Sequence, residues 1–338
     1  MLAEIPFDSE FLTGARNAVR VCLGVQPGER VTVITDDESA PIAAALRHEL
    51  RTLRADHRVW VLEQEGERPL ADMPRVIMDD LETASVSIFC AQAKTGELPS
   101  RIRMTEVVNR RKIRHAHMVN ITPEIMKHGM RADYDAVDRL SLKLLEMARQ
   151  AKVVVATTPA GTRIEAQMTP EYQWLKTSGI ISPNTWGNLP GGEVWTTPGE
   201  VNGVYVVDGV VGDYLCAKYG DLKQTPLTIT VRANRLQAVD CTNKELAREF
   251  WEYTHTDENS DRVGEFAIGT NIGVHDVIGN ILQDEKIPGM HIAFGHPYGD
   301  HTGAQWVSKT HIDVVGRAFS IWLDEMRIME NGRFLVTA

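Results

Sequence analysis

Metal-capable side chains crowd the C-terminal part of this 338-residue chain. Six of its eleven histidines fall between residues 255 and 311: His255, His275, His291, His296, His301 and His311. The run "HIAFGHPYGDHTGAQWVSKTHID" (291–313) holds four of them, with Asp300 and Asp313. In "THID", His311 and Asp313 stand at i and i+2, so on a strand both side chains point to one face. A neutral imidazole beside a carboxylate suits one metal ion or two adjacent ions. Equally, Asp313 can orient His311 by a hydrogen bond on a solvated strand. His291 enters a small, apolar run, Ile292–Gly295, where both ring nitrogens need partners. Taken alone, that segment fits a hydrogen-bonded core histidine.

Two acids extend the set. Glu265 sits in "VGEFAIGTN" among apolar and small residues. Burying a carboxylate is costly unless it is paired or metal-bound, so Glu265 either binds something or alternates to a solvent face. Glu193 follows the Pro-Gly-Gly turn of "NLPGGEVWTTP" and is a loop-end acid of the kind found at active sites, or an exposed turn acid. Two glutamates, two histidines and one aspartate are the donors an oxygen-rich dinuclear site needs. One carboxylate bridges and the others terminate. A water between the ions becomes hydroxide near neutral pH, while the second ion polarises a scissile carbonyl.

The elements that must carry these residues divide the chain in two. "RVTVIT" (30–35), "RVWVLEQ" (58–64), "SVSIFCA" (85–91), a run near 116–121 and "KVVVATT" (152–158) read as strands. Helical patterns at 39–55, 74–84 and 135–151 separate them, which predicts an α/β domain with a largely parallel sheet over 1–155. No glycine-rich phosphate loop accompanies these strands. His115 and His117, in or beside a strand, read as structural. After about residue 155 turn signals multiply, and "VYVVDG" (204–209) and "LTITVRANRLQAVD" (227–240) look β-like. This predicts a mostly β (α+β) metal-binding catalytic domain over 156–338. One helix, 242–255, is expected to start on a capping box of Thr242 and Glu245.

Composition narrows the function classes. With 43% hydrophobic and 24% charged residues, the chain is of ordinary globular type, and its net charge of -10 argues against nucleic acid or an anionic membrane as partner. The four cysteines form no CxxC pair and read as lone buried thiols of a reducing cytosol. The first residues lack the basic start and apolar run of a signal peptide, and no apolar stretch is long enough for a membrane span. A cytoplasmic protein is expected.

The segments "NLPGGEVWTTP", "VGEFAIGTN", "HIAFGHPY" and "KTHIDVVG" resemble, in order and spacing, the motifs of the aminopeptidase T and aminopeptidase S family of metallopeptidases. The resemblance spans most of the second domain. It implies that Glu193, Glu265, His291, His311 and Asp313 ligate two divalent ions, such as zinc, cobalt or manganese. It adds Tyr298 as a residue at the metal centre. It implies a homodimer that releases N-terminal amino acids from small peptide or amide substrates, with Glu193 and Glu265 as candidate bases. The chain looks shorter than the best-known members, and His296, His301 and Asp300 are additional to the expected set. A more distant resemblance is to the 2,5-dihydroxypyridine dioxygenases, ring-cleaving enzymes with a single Fe(II). Their pattern keeps the HxD pair but has a histidine where this chain has Glu265, and it lacks counterparts of Glu193 and His291. Those three residues favour the hydrolase over the oxygenase. A non-catalytic protein that kept the fold is a third reading, and the intact set of donors speaks against it.

Overall fold

The computed structural model describes residues 5–184 and 186–337. The chain folds as two units: the described residues of Met1–Asp135 with Gly179–Gly191, and Ala136–Ser178 with Gly192–Ala338. The change of texture expected at 155/156 lies inside the second unit. Leu140, Leu144, Leu145 and Ala148, on the helix Tyr134–Ala148, belong to the same buried cluster as Val154 and Ile164. Their burial, rather than the appearance of strands, decides where the helix belongs.

The first unit is a parallel sheet with helical connections. β1 (Arg30–Thr35), β2 (Asp56–Val61), β3 (Val86–Cys90) and β4 (Arg114–His117) lie in the order β2-β1-β3-β4. Gly187–Asn188, β8 in chain order, adds in parallel beside β4. Every residue of "VSIFC" in β3 is buried, as expected for a strand covered on both faces. The run expected to form a strand near 116–121 instead ends its strand at His117, and Asn120 turns the chain at φ 58°. The helix Leu98–Arg111 gives no clear signal in the sequence. Only Ser100, Met104, Val107 and Val108 are buried on it, a narrow stripe in an arginine-rich segment.

The strand order reverses between β1 and β3, the place where open α/β sheets usually hold ligands. Here an ion-pair network fills it. The Arg68 side chain, 1% exposed, reaches Asp36 just after β1 at 2.8 Å, Glu97 at 2.8 Å and the Gln92 carbonyl after β3 at 2.5 Å. Burial pushes the Glu97 carboxyl up, but Arg68 and two backbone N–H groups bring it down to about 2. Arg68→Met should leave Asp36 and Glu97 buried without their counter-ion. A loss of ~3–5 kcal/mol is expected in chemical denaturation, and a loss under about 1 kcal/mol would contradict the role given to the network.

The second unit holds two antiparallel sheets. The strands of the larger are β5 (Val153–Thr157), β6 (Arg163–Gln167), β10 (Glu200–Val207), β11 (Leu227–Arg232), β12 (Arg235–Asp240), β16 (Ser320–Leu323), β17 (Met326–Glu330) and β18 (Arg333–Phe334). They lie in the order β12-β11-β10-β6-β5-β16-β17-β18. The β-like run 227–240 is thus a hairpin. Ala233 and Asn234, at φ 49° and 65°, form its two-residue turn. The following helix is Lys244–Tyr253, and its cap differs from the one expected. Asn243, not Thr242, accepts from the backbone N–H groups of Glu245 and Leu246.

The smaller sheet comprises β7 (Leu175–Lys176), β9 (Glu193–Thr196), β13 (Val263–Gly269), β14 (Gly289–Gly295) and β15 (His311–Val315). Its order is β15-β14-β13-β9-β7. One face turns Val194, Phe266, Ile268, Ile292, Phe294 and Val314 into the main buried cluster of the unit. The other face carries the chemistry.

Candidate metal centre

Register brings the sequence-predicted donors onto that second face. His291 pairs with Ala267 and Val315, Ala293 with Glu265 and Asp313, Gly295 with His311, and Gly269 with Glu193. Residues paired across antiparallel strands share a face, and so do i and i+2 along one strand. Glu193, Glu265, His291, His311 and Asp313 therefore stand together, with Ala267, Ala293, Gly269 and Gly295 between them. Only small residues leave room for converging carboxylates and imidazoles. At Gly269 a Cβ would meet the Ile287 carbonyl at 2.0 Å, so the backbone packing itself requires glycine there.

The donors form two groups, Glu193–Glu265–His291 and Glu265–His311–Asp313. His291 Nε2 lies 3.6 Å from Glu193 Oε2 and 3.5 Å from Glu265 Oε1. His311 Nε2 lies 3.6 Å from Glu265 Oε2 and 3.4 Å from Asp313 Oδ1. Glu265 thus offers one oxygen to each group. Two ligand atoms each ~2.1 Å from one tetrahedral cation stand about 3.4 Å apart, which is the spacing found here. Glu193 Oε2 and His291 Nε2 are buried with no hydrogen-bond partner. Orphaned buried polar atoms are costly, and a shared cation would satisfy both. The residues present fit a metal.

Surrounding contacts aim these atoms. His311 Nδ1 donates to the His296 carbonyl at 2.9 Å, which leaves Nε2 as the nitrogen facing Glu265 and the one a metal would take. Oε1 of Glu193 accepts from Thr177 Oγ1 at 2.8 Å and from Lys286 Nζ at 2.6 Å, so Oε2 alone is free. Lys286 also holds Glu285 Oε1 at 2.6 Å.

The charge states of the metal-free cluster follow from this crowding. Burial opposes charge on His311, but the oxygens of Tyr298, Asp313 and Glu265 outweigh it and hold its pKa well above the ordinary value. His291 is raised in the same way, against burial, by Glu265 and Glu193. Burial pushes Asp313 up, and His311 beside it brings it down to about 2. Burial dominates at Glu285, which rises to about 8 despite Lys286.

Tyr298 is 40% exposed, and its ring centroid lies 4.8 Å from that of His311 and 5.8 Å from that of Trp195. Its backbone is left-handed, at φ 50°. His296 is half-buried and accepts the Tyr298 N–H at 3.1 Å through Nδ1. Asp300, His301, His255 and His275 are exposed and belong to neither group. His115 and His117 lie in the first unit, buried and hydrogen-bonded, with burial lowering both pKa values. Sequence reasoning missed Lys286, Glu285 and Thr177. "QDEKIPG" resembles a solvated charge run, and its only clue is its place five residues ahead of His291.

A buried constellation of carboxylates and imidazoles on an antiparallel sheet is a donor set suited to divalent metal. Residues 138–331, more than half of the chain, match the model of the thermophilic metalloprotease (M29) family, and the chain belongs to that family. The family implies a divalent metal and a peptide substrate. Among solved structures, 2,5-dihydroxypyridine dioxygenase from Pseudomonas putida KT2440 is similar, with a TM-score of 0.71 at 16% identity over 98% of this chain and 99% of that one. Wild-type AmpT from Thermus thermophilus is similar too, with a TM-score of 0.68 at 17% identity over 97% of this chain and 99% of that one. At such identities the likeness concerns the fold. The match to AmpT takes in nearly all of that chain, so no whole domain of it lacks a counterpart here. Comparison with curated proteins gives no match. Among the described residues, no helix is long and apolar enough to cross a membrane.

The pH dependence of the metal-free protein has a definite sign. Stability contributed by the raised histidines is present below the ordinary value of 6.5 and is lost as pH rises through their folded values. The contribution of Asp313 is present above 3.8 and is lost as pH falls toward about 2. Thermal unfolding of chelator-treated protein should therefore show stability falling on the alkaline side of neutrality. His311→Ala should flatten that limb, and an unaltered limb in this variant would contradict the assignment.

Proposed function

We propose that this chain is a metal-dependent aminopeptidase, with a dinuclear centre held by Glu193, Glu265, His291, His311 and Asp313. It releases N-terminal residues from small peptides or amides. The observation that carries this reading is the shared carboxylate: Glu265 belongs to both donor groups, as a bridging ligand must. Bound divalent ions such as zinc, cobalt or manganese supply water activation and carbonyl polarisation. The chain's residues do the rest. Hydrogen bonds to His296 and Lys286 hold His311 and Glu193 in orientation before substrate arrives. Tyr298 is open to solvent on one side and near His311 on the other, so its phenol can donate to the developing oxyanion. Its left-handed backbone is local strain of the kind retained where a side chain must be aimed. Of the two candidate bases, Glu193 has Oε1 occupied by Thr177 and Lys286, and Glu265 turns one oxygen to each donor group, so either can take a proton from water only by releasing one of those contacts.

The oxygenase chemistry of the dioxygenase neighbour has less support. It shares the fold, whereas the resemblance that links this chain to such enzymes asks for a histidine at the position of Glu265. The motif resemblance also carries a homodimer into the reading, and the four lone, buried thiols carry a cytoplasmic location. Light scattering of the purified protein should then give twice the chain mass of 37.7 kDa.

Two variants test the mechanism. Glu265→Gln removes the bridging charge. Bound metal should fall well below that of the parent, and hydrolysis of aminoacyl amides should fall by at least ~100-fold, beyond the effect of losing an outer hydrogen-bond partner. Undiminished metal and activity would exclude a bridging role. Tyr298→Phe should keep the metal and lose ~100-fold or more in kcat, the size expected for one oxyanion donor. Equal loss of metal and activity would instead make Tyr298 a ligand.

A further inference from the structure

Lys286 is the feature of this centre that a ligand set alone does not explain. Its side chain is 3% exposed, yet it carries an ammonium into a cluster meant for cations. Nζ sits 2.6 Å from Glu193 Oε1 and 2.6 Å from Glu285 Oε1. Thr177 takes the same Glu193 oxygen, so that oxygen is fully occupied and Glu193 can offer only Oε2. The Glu265–His311–Asp313 group has no such contact, and Asp313 feels Lys286 only as a minor influence behind His311 and His291. Glu285 shares the ammonium but belongs to neither donor group. One group therefore works with a restricted, cation-paired carboxylate, and the other with Asp313 unencumbered. A cation entering the first group also meets repulsion from the ammonium at short range, where screening by water is weak.

We propose that Lys286 is a positioning residue that makes the two halves unequal: the Glu265–His311–Asp313 half binds its ion first and tightly, and the Glu193–Glu265–His291 half binds second and more weakly. The inference rests on the dinuclear reading above. It gives the second ion the character of an exchangeable one, set by an internal lysine rather than by a missing ligand.

The test is titration of chelator-stripped, full-length protein with Co2+ alone, followed by visible absorption and calorimetry. Two steps of one equivalent are expected, with dissociation constants at least about tenfold apart, or ~1.4 kcal/mol. His291→Ala should remove the weak step and leave the tight one, whereas His311→Ala should remove the tight one. Lys286→Met should tighten the weak step toward the first, and Lys286→Arg should restore the gap. Circular dichroism and thermal unfolding report whether each variant folds. The proposal is overturned if His291→Ala removes the tight step, or if a folded Lys286→Met variant leaves the gap unchanged or wider. Should Lys286→Met fail to fold, the order of loss in the two histidine variants decides alone. A single equivalent in the parent protein defeats the two-ion reading and the inference with it, whereas two equal steps defeat only the inference.

Discussion

The constraint on which the second unit depends is the burial of acids and imidazoles on one face of one sheet. Glu193, Glu265 and Asp313 are each under 10% exposed and lie within reach of one another through His291 and His311. Such an arrangement is unfavourable without compensating charge. The surrounding sequence is arranged to tolerate it. The face beneath is apolar and anchors four strands in the unit's main core. The face above is cleared by alanine and glycine so that the donors converge. Lys286, Thr177 and the His296 carbonyl fix individual donor atoms. Donors carried on paired strands are placed more precisely than donors carried on loops.

Much of this was legible in the sequence. His311 and Asp313, two residues apart, had to share a face once their segment became a strand. Glu265 stood out because its neighbours on both sides are apolar or small, and the structure buries it. Strands alternating with helices gave the parallel sheet of the first unit, except that the last of the expected strands, Val153–Thr157, pairs antiparallel in the second unit. What was not legible depends on contacts between distant segments. The pairing of Gly269 with Glu193 joins positions 76 residues apart. The role of Lys286 emerges only when its strand-leading loop returns beside Glu193. The helix Leu98–Arg111 hid its narrow buried stripe among arginines, and the helix beginning near Tyr134 joined the second core through leucines whose periodicity says nothing of which core they serve. Asn243 displaced Thr242 as a cap because capping is decided by one residue of register.

The fold does not by itself choose the chemistry. One architecture can carry different chemistries, and the difference lies in the donor atoms of the site. Here the donor at position 265 is a carboxylate with two available oxygens, facing two imidazoles from opposite sides. An imidazole at that position would have one such atom to give. The two orphaned atoms, Glu193 Oε2 and His291 Nε2, extend the site beyond the HxD pair and have no hydrogen-bond partner.

Anomalous diffraction from crystals grown with zinc or manganese tests the bridging role of Glu265 most directly. Two peaks are expected in each chain, one among Glu193, Glu265 and His291 and one among Glu265, His311 and Asp313, with Glu265 contacting both. A single peak held by His311 and Asp313, with Glu193 and His291 left unbound, would contradict the dinuclear centre and the hydrolytic function built on it.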